Sequence, residues 1–156
     1  MLKRKNKIII VFIVFFTMLL SASCTSKNEY GLKVFSEESH VKFVIIKITG
    51  YPNDEVYLDL HIAYDEACSV YDVTKFACKY ENIPLVSSNL GGAYVKAING
   101  LAERANGGMS GWLYCVNDSF ENCNVGSDKY IIKPGDVIEW RYTLNSGPDV
   151  GAPGYK

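Results

Sequence analysis

The apolar residues of this chain change their spacing twice, and the order of those spacings limits the folds open to it. Val41 to Thr49 (VKFVIIKIT) is a β-branched run and reads as a strand buried on both faces. Gly50, Pro52, Asn53 and Asp54 then supply turn chemistry. Glu55 to Ala63 alternates, with Val56, Leu58, Leu60 and Ile62 to one side and Tyr57, Asp59, His61 and Ala63 to the other, so the pair predicts a hairpin. From Ser69 to Tyr80 the spacing becomes helical, and Val70, Val73, Phe76, Ala77 and Tyr80 form a stripe. Ser69 suits the N-cap, as do Asp65 and Glu66 the entrance, and Asn82 and Pro84 end the helix.

Strand spacing then returns. Tyr94 to Ile98 is a short strand, followed by a loop of Gly and Asn from Asn106 to Gly111. Trp112 to Asn117 places Trp112, Tyr114 and Val116 on one face and Leu113, Cys115 and Asn117 on the other. After the turn Pro134-Gly135-Asp136, Val137 to Leu144 points Ile138, Trp140, Tyr142 and Leu144 inward and Glu139 and Arg141 outward. Hairpin, helix and further strands predict an α+β chain: one β-grasp-like domain, a mixed curved sheet packed on one main helix. The Gly- and Pro-rich residues 145–156 read as an irregular tail.

The N-terminus reads as an export signal rather than part of that domain. Lys3, Arg4, Lys5 and Lys7 precede Ile8 to Leu20, thirteen residues of which only Thr17 is polar. As a helix this stretch spans about 20 Å, short of the roughly 30 Å hydrocarbon core of a bilayer. Small residues Ser21, Ala22 and Ser23 then lead to Cys24, which resembles a bacterial lipoprotein cleavage box, with Ser21 where that box has Leu. The resemblance implies lipidation of Cys24, a signal peptide over 1–23, a polar tether over 24–39 and a domain held at the outer face of the cell membrane. Of the chain's 16 basic residues four lie in the signal, which holds no acid, so 12 remain against 17 acidic ones. An acidic domain of that kind argues against nucleic-acid binding, which needs clustered Lys and Arg.

Three motifs follow in order: Tyr94-Val95-Lys96-Ala97-Ile98-Asn99-Gly100-Leu101, then Gly111-Trp112-Leu113-Tyr114-Cys115-Val116-Asn117, then Tyr130 to Tyr142 with its Pro-Gly-Asp-Val-Ile-Glu-Trp core. Over residues 40–144 this order resembles the transcobalamin-like C-terminal domain family, the smaller β-rich domain of animal vitamin B12 carriers and of many Gram-positive surface proteins. Asp118 departs from the Gly that the family has at that place. The resemblance implies a lipid-anchored, extracytoplasmic module that binds cobalamin or another corrinoid and supports its uptake by a membrane system. The animal carriers use a second, helical domain to hold most of the corrin, and no such domain fits in this chain.

A corrin needs apolar or aromatic surface under its plate and amide partners at its rim. Tyr94, Trp112 and Tyr114, with Asn99 and Asn117 at strand ends, are the candidate set. The same alternation would equally make Trp112 and Tyr114 core, and Asn99 and Asn117 turn residues. A cell-surface interaction or structural module with no small ligand is the alternative function. After Cys24 four cysteines remain; Cys115–Cys123 and Cys68–Cys78 are the favoured disulfides, with free thiols the other outcome. No Cys-x-x-Cys or His-x-x-x-His pair suggests a metal site, and no cofactor is expected. His61 with Asp59 and Tyr57 is a thin case for a hydrolase, so no enzyme is expected.

Overall fold

The first hairpin and the last strand meet at the centre of the molecule. In the computed structural model, which describes residues 31–34, 42–88, 92–121 and 124–154, the strands are β1 (Lys33–Val34), β2 (Phe43–Thr49), β3 (Val56–Ala63), β4 (Leu85–Ser88), β5 (Tyr94–Ile98), β6 (Leu101–Ala102), β7 (Gly111–Val116) and β8 (Val137–Thr143). One helix, α1 (Val70–Tyr80), separates β3 from β4. A five-stranded sheet has the order β1-β3-β2-β8-β7, and β4-β5-β6 form a second, three-stranded sheet. β2 and β8 run parallel in the middle, and the other neighbours in both sheets are antiparallel. The mixed α+β architecture is therefore the one the spacing predicts. The signal segment 1–23, Cys24 and Cys123 lie outside the described residues.

β2 differs from its expected burial. Val44, Ile46 and Ile48 are fully buried, whereas Phe43, Ile45, Lys47 and Thr49 are half-buried. The helix covers one face of this sheet, and on the other Lys47 meets Asp59 at 3.5 Å and Phe43 stacks on His61. In β3 the register slips between Ile48 and Thr49, so Thr49 pairs with Val56 and Ile48 with Leu58. This bulge turns Val56 to the outer side, where it is 63% exposed, and brings Tyr57 against Trp112. Gly50 sits beneath that ring: a Cβ there would lie 2.2 Å from the Tyr57 hydroxyl.

Both ends of α1 follow from its sequence. The Asp72 N–H donates to Ser69 Oγ (3.2 Å) and the Ser69 N–H to Asp72 Oδ2 (3.0 Å), a capping box closed by aspartate. At the far end Asn82 takes a left-handed conformation (φ 57°) while the Ile83 N–H reaches the Cys78 carbonyl at 2.7 Å, a Schellman closure. The buried face is Val70, Val73, Thr74, Ala77 and Cys78 rather than the stripe running through Phe76 and Tyr80. Thr74 faces inward because Trp140 needs a deep acceptor: the Trp140 indole N–H donates to Thr74 Oγ1 at 2.8 Å, and Thr74 donates to the Val70 carbonyl at 2.7 Å. Tyr80 is left 55% exposed, stacked on Phe76.

Two stretches are more ordered than expected. Leu32 is buried and Lys33 and Val34 pair with Ala63 and Ile62, so residues within the predicted 24–39 tether add a strand to the sheet. The predicted tail folds back on β8 through a 3-10 turn, Pro148–Val150. The Asp149 carboxylate accepts from the Leu144 N–H at 2.6 Å and from the Thr143 hydroxyl, and Gly147 N–H donates to Thr143 Oγ1 at 2.7 Å. Leu144 lies past the end of β8 and is exposed instead of inward. The strap so formed buries Cys115 beneath Phe120 and Ala152 on the outer face of the sheet.

The predicted Cys68–Cys78 bridge is absent: both are free, buried thiols. Cys68 stands just before the N-cap and Cys78 near the last turn of α1. Ten residues at a helical rise are about 15 Å, whereas a disulfide needs its Cα atoms within about 7 Å. Cys115 is also a free thiol, and its predicted partner Cys123 lies outside the described residues.

Candidate functional site

The aromatic motif strands, β5 and β7, come from different sheets and face each other. Between them opens a cavity of about 230 Å³, walled by Tyr94 and Val95 of β5, by Trp112 and Tyr114 of β7, by Trp140 of β8 and by the segment 124–127. A second cavity of about 200 Å³ lies on the other side of Tyr94 and is lined by Glu103, Arg104 and Met109. Tyr94, Trp112 and Leu113 border both.

The walls are held by polar anchors. Trp112 and Tyr114 are 6% and 5% exposed, so each ring is chiefly core and shows only part of itself to the cavity. The Trp112 indole N–H donates to the Leu101 carbonyl (2.8 Å), and the ring meets Tyr142 edge-on with centroids 5.2 Å apart. The Tyr114 hydroxyl donates to the Val125 carbonyl (2.6 Å), which ties the 124–127 segment to the mouth. Tyr94, half exposed, donates its hydroxyl to Glu103 at 2.5 Å and spans the ridge between the cavities.

The two asparagines lie elsewhere. Asn99 (φ 52°) and Gly100 (φ 79°) make the tight turn from β5 to β6. Asn117 is left-handed as well (φ 55°), and its amide clamps the start of β8, donating to Asp136 at 3.0 Å and accepting from the Val137 N–H at 2.9 Å. Neither lines either of the two cavities around Tyr94. Trp140 and the 124–127 wall were missing from the predicted set. Trp140 reads in sequence as one more inward residue of its strand, and 124–127 carries no periodicity at all.

On the opposite face Cys115, Asp118 and Glu139 bring three potential metal-ligand atoms within 4.8 Å of one another. Arg141 already occupies the site: its guanidinium donates to Asp118 at 2.8 Å and to Glu139. Burial pushes the Cys115 thiol up to about 11 despite the neighbouring Arg141 cation, so it stays protonated at neutral pH. A protonated thiol and two carboxylates sharing one guanidinium make an ion-paired cluster. The hydrolase set is likewise engaged in packing, with Asp59 on Lys47 and His61 stacked on Phe43.

No curated protein matches this chain. Among solved structures it is similar to a "putative metal binding protein" from Ruminococcus gnavus, at 14% identity and a TM-score of 0.47, over 65% of this chain and 96% of that one. Residues 68–144, from the approach to α1 through the end of β8, match the family model described as a domain of unknown function, DUF4430.

Proposed function

We propose that this chain is an extracytoplasmic, lipid-anchored binding module that holds part of a ligand between its two sheets and does not transform it. The cavity between β5 and β7 carries this reading, because aromatic side chains from both sheets converge there around unfilled space. The basic and apolar segment ahead of Cys24 supports the anchor. Family resemblance makes a corrinoid the first ligand to try. At about 230 Å³ the cavity is below the roughly 300–1,000 Å³ of ordinary small-molecule sites, so it takes an edge or arm of such a ring, and a partner in the membrane covers the rest. The same small volume favours the second reading, a surface module that binds another protein.

The test uses the full-length chain in detergent. Incubated with cobalamin and separated by size, it should carry colour in the protein peak, and titration should show binding heat. A colourless peak without heat removes the corrinoid. An unmodified Cys24 in the mature protein, read by mass spectrometry of its N-terminus, removes the anchor.

A further inference from the structure

β7 ends the five-stranded sheet, and its pairing with β8 fixes which of its peptide groups are in use. The Asn117 N–H donates to the Val137 carbonyl at 2.8 Å. In an antiparallel ladder the direction alternates residue by residue, so Gly111, Leu113 and Cys115 bond β8, and Trp112, Tyr114 and Val116 turn their peptide groups the other way. Val116 obeys this rule by exchanging bonds with Ser119 on the outer side, at 3.2 and 3.1 Å. Trp112 has no such neighbour: among the described residues its main-chain N–H and carbonyl meet no other backbone group. That unpaired peptide unit belongs to one of the three residues that border both cavities. Arg104, in the wall of the second cavity, makes no ion pair among the described residues, while the neighbouring Glu103 carboxylate is held by Tyr94.

An unpaired peptide unit on a strand edge, with a cavity to either side, is suited to an added extended chain, whose main chain pairs with that unit and whose side groups fill the flanking spaces. Resting on the reading of the inter-sheet cavity as a binding site, we propose that its ligand is a short extended peptide. One residue of that peptide exchanges N–H···O bonds with Trp112, the side groups around it enter the two cavities, and an acidic side chain lies toward Arg104. A flat ring would use the aromatic walls and leave the Trp112 peptide unit unpaired.

The test offers immobilised full-length chain, in detergent, a mixture of pentapeptides acetylated and amidated at their ends and randomised at every position. Retained peptides are sequenced by mass spectrometry. A second mixture has every amide N-methylated, and cobalamin runs as a separate arm. The expected result is retention of peptides rich in Asp or Glu at one end, slowed hydrogen exchange at the Trp112 amide, and at least about tenfold weaker retention of the methylated set. Arg104→Asn, which suits the left-handed backbone there, should abolish the acidic preference. Equal retention of methylated peptides, or an unprotected Trp112 amide, overturns the pairing. If cobalamin is held and no peptide is, the cavity reading stands and the peptide falls; if neither is held, both fall.

Discussion

Trp140 and Thr74 show how one buried hydrogen bond sets the face of a helix. With Thr74 changed to Val the shape is kept, but the Trp140 N–H loses its acceptor inside the core. A stranded buried donor costs about 1–3 kcal/mol, so Thr74→Val should lower the midpoint of denaturant unfolding without changing its slope. An unchanged midpoint would mean that this bond contributes nothing. At this scale the sequence shows a great deal: the cap at Ser69, the helix stop at Asn82 and the inward Trp140 and Tyr142 are all legible, while Trp112 and Tyr114 read equally as core or as ligand surface. Thr74 is not legible, because a polar residue on a helical stripe reads as solvent-facing until its distant partner is known. Asn99 and Asn117 show the reverse case. A strand-end asparagine can serve a ligand or a turn, and only the positive φ decides for the turn.

Among the elements, the C-terminal strap is the one whose role the sequence hides. Composition predicts an irregular stretch for 145–156, yet part of it is strapped to β8, and the Asp149 carboxylate is central to that strap. Burial would push Asp149 up, but the Thr143 hydroxyl and the Leu144 amide outweigh it and hold the carboxyl below its usual range. A depressed carboxyl stabilises the strap above its unfolded value, and that contribution is lost as the pH falls through the lower folded value. The strap should therefore loosen in acid, below about pH 4. Asp149→Asn should loosen it at neutral pH, and Cys115 should then react with a thiol reagent sooner than Cys68 or Cys78, as peptide mass mapping would reveal. Equal protection in the variant would show that the strap does not guard Cys115. β4 is not legible for a related reason: in its four residues LVSS Val86 is exposed and the other three half-buried, so no inward face stands out, and its pairing is with the separate strand β5.

For the whole molecule, the absence of a Cys68–Cys78 bridge makes the fold depend on packing, and two buried thiols leave a pH signature. Burial pushes both Cys68 and Cys78 up to about 12, with Asp72 adding to the effect at Cys68. Their unfolded values lie near 8.5. A raised value means that the folded state keeps a proton the unfolded state gives up, so stability is full below about pH 8.5 and declines as the pH rises toward 12. The unfolding midpoint should drop between pH 9 and 11, and the drop should be smaller in Cys78→Ala. A flat profile would contradict this assignment. The overall architecture was readable because period-two and helical segments alternate strongly. The site was readable only in its aromatic half, since a cavity between two sheets depends on how they pack, which no local spacing encodes.

β8, which follows the other described strands in chain order, lies between β2 and β7. A ribosome that has released only the first 136 residues has made neither of the ladders that β8 completes, so β7 has nothing to dock on. A nonsense mutation at that point removes the middle of the sheet, where the loss of a C-terminal edge strand would have trimmed only its border. The five-stranded sheet thus closes only once β8 has followed β2 and β7, and chaperones that shield unfinished chains should stay bound until that strand emerges.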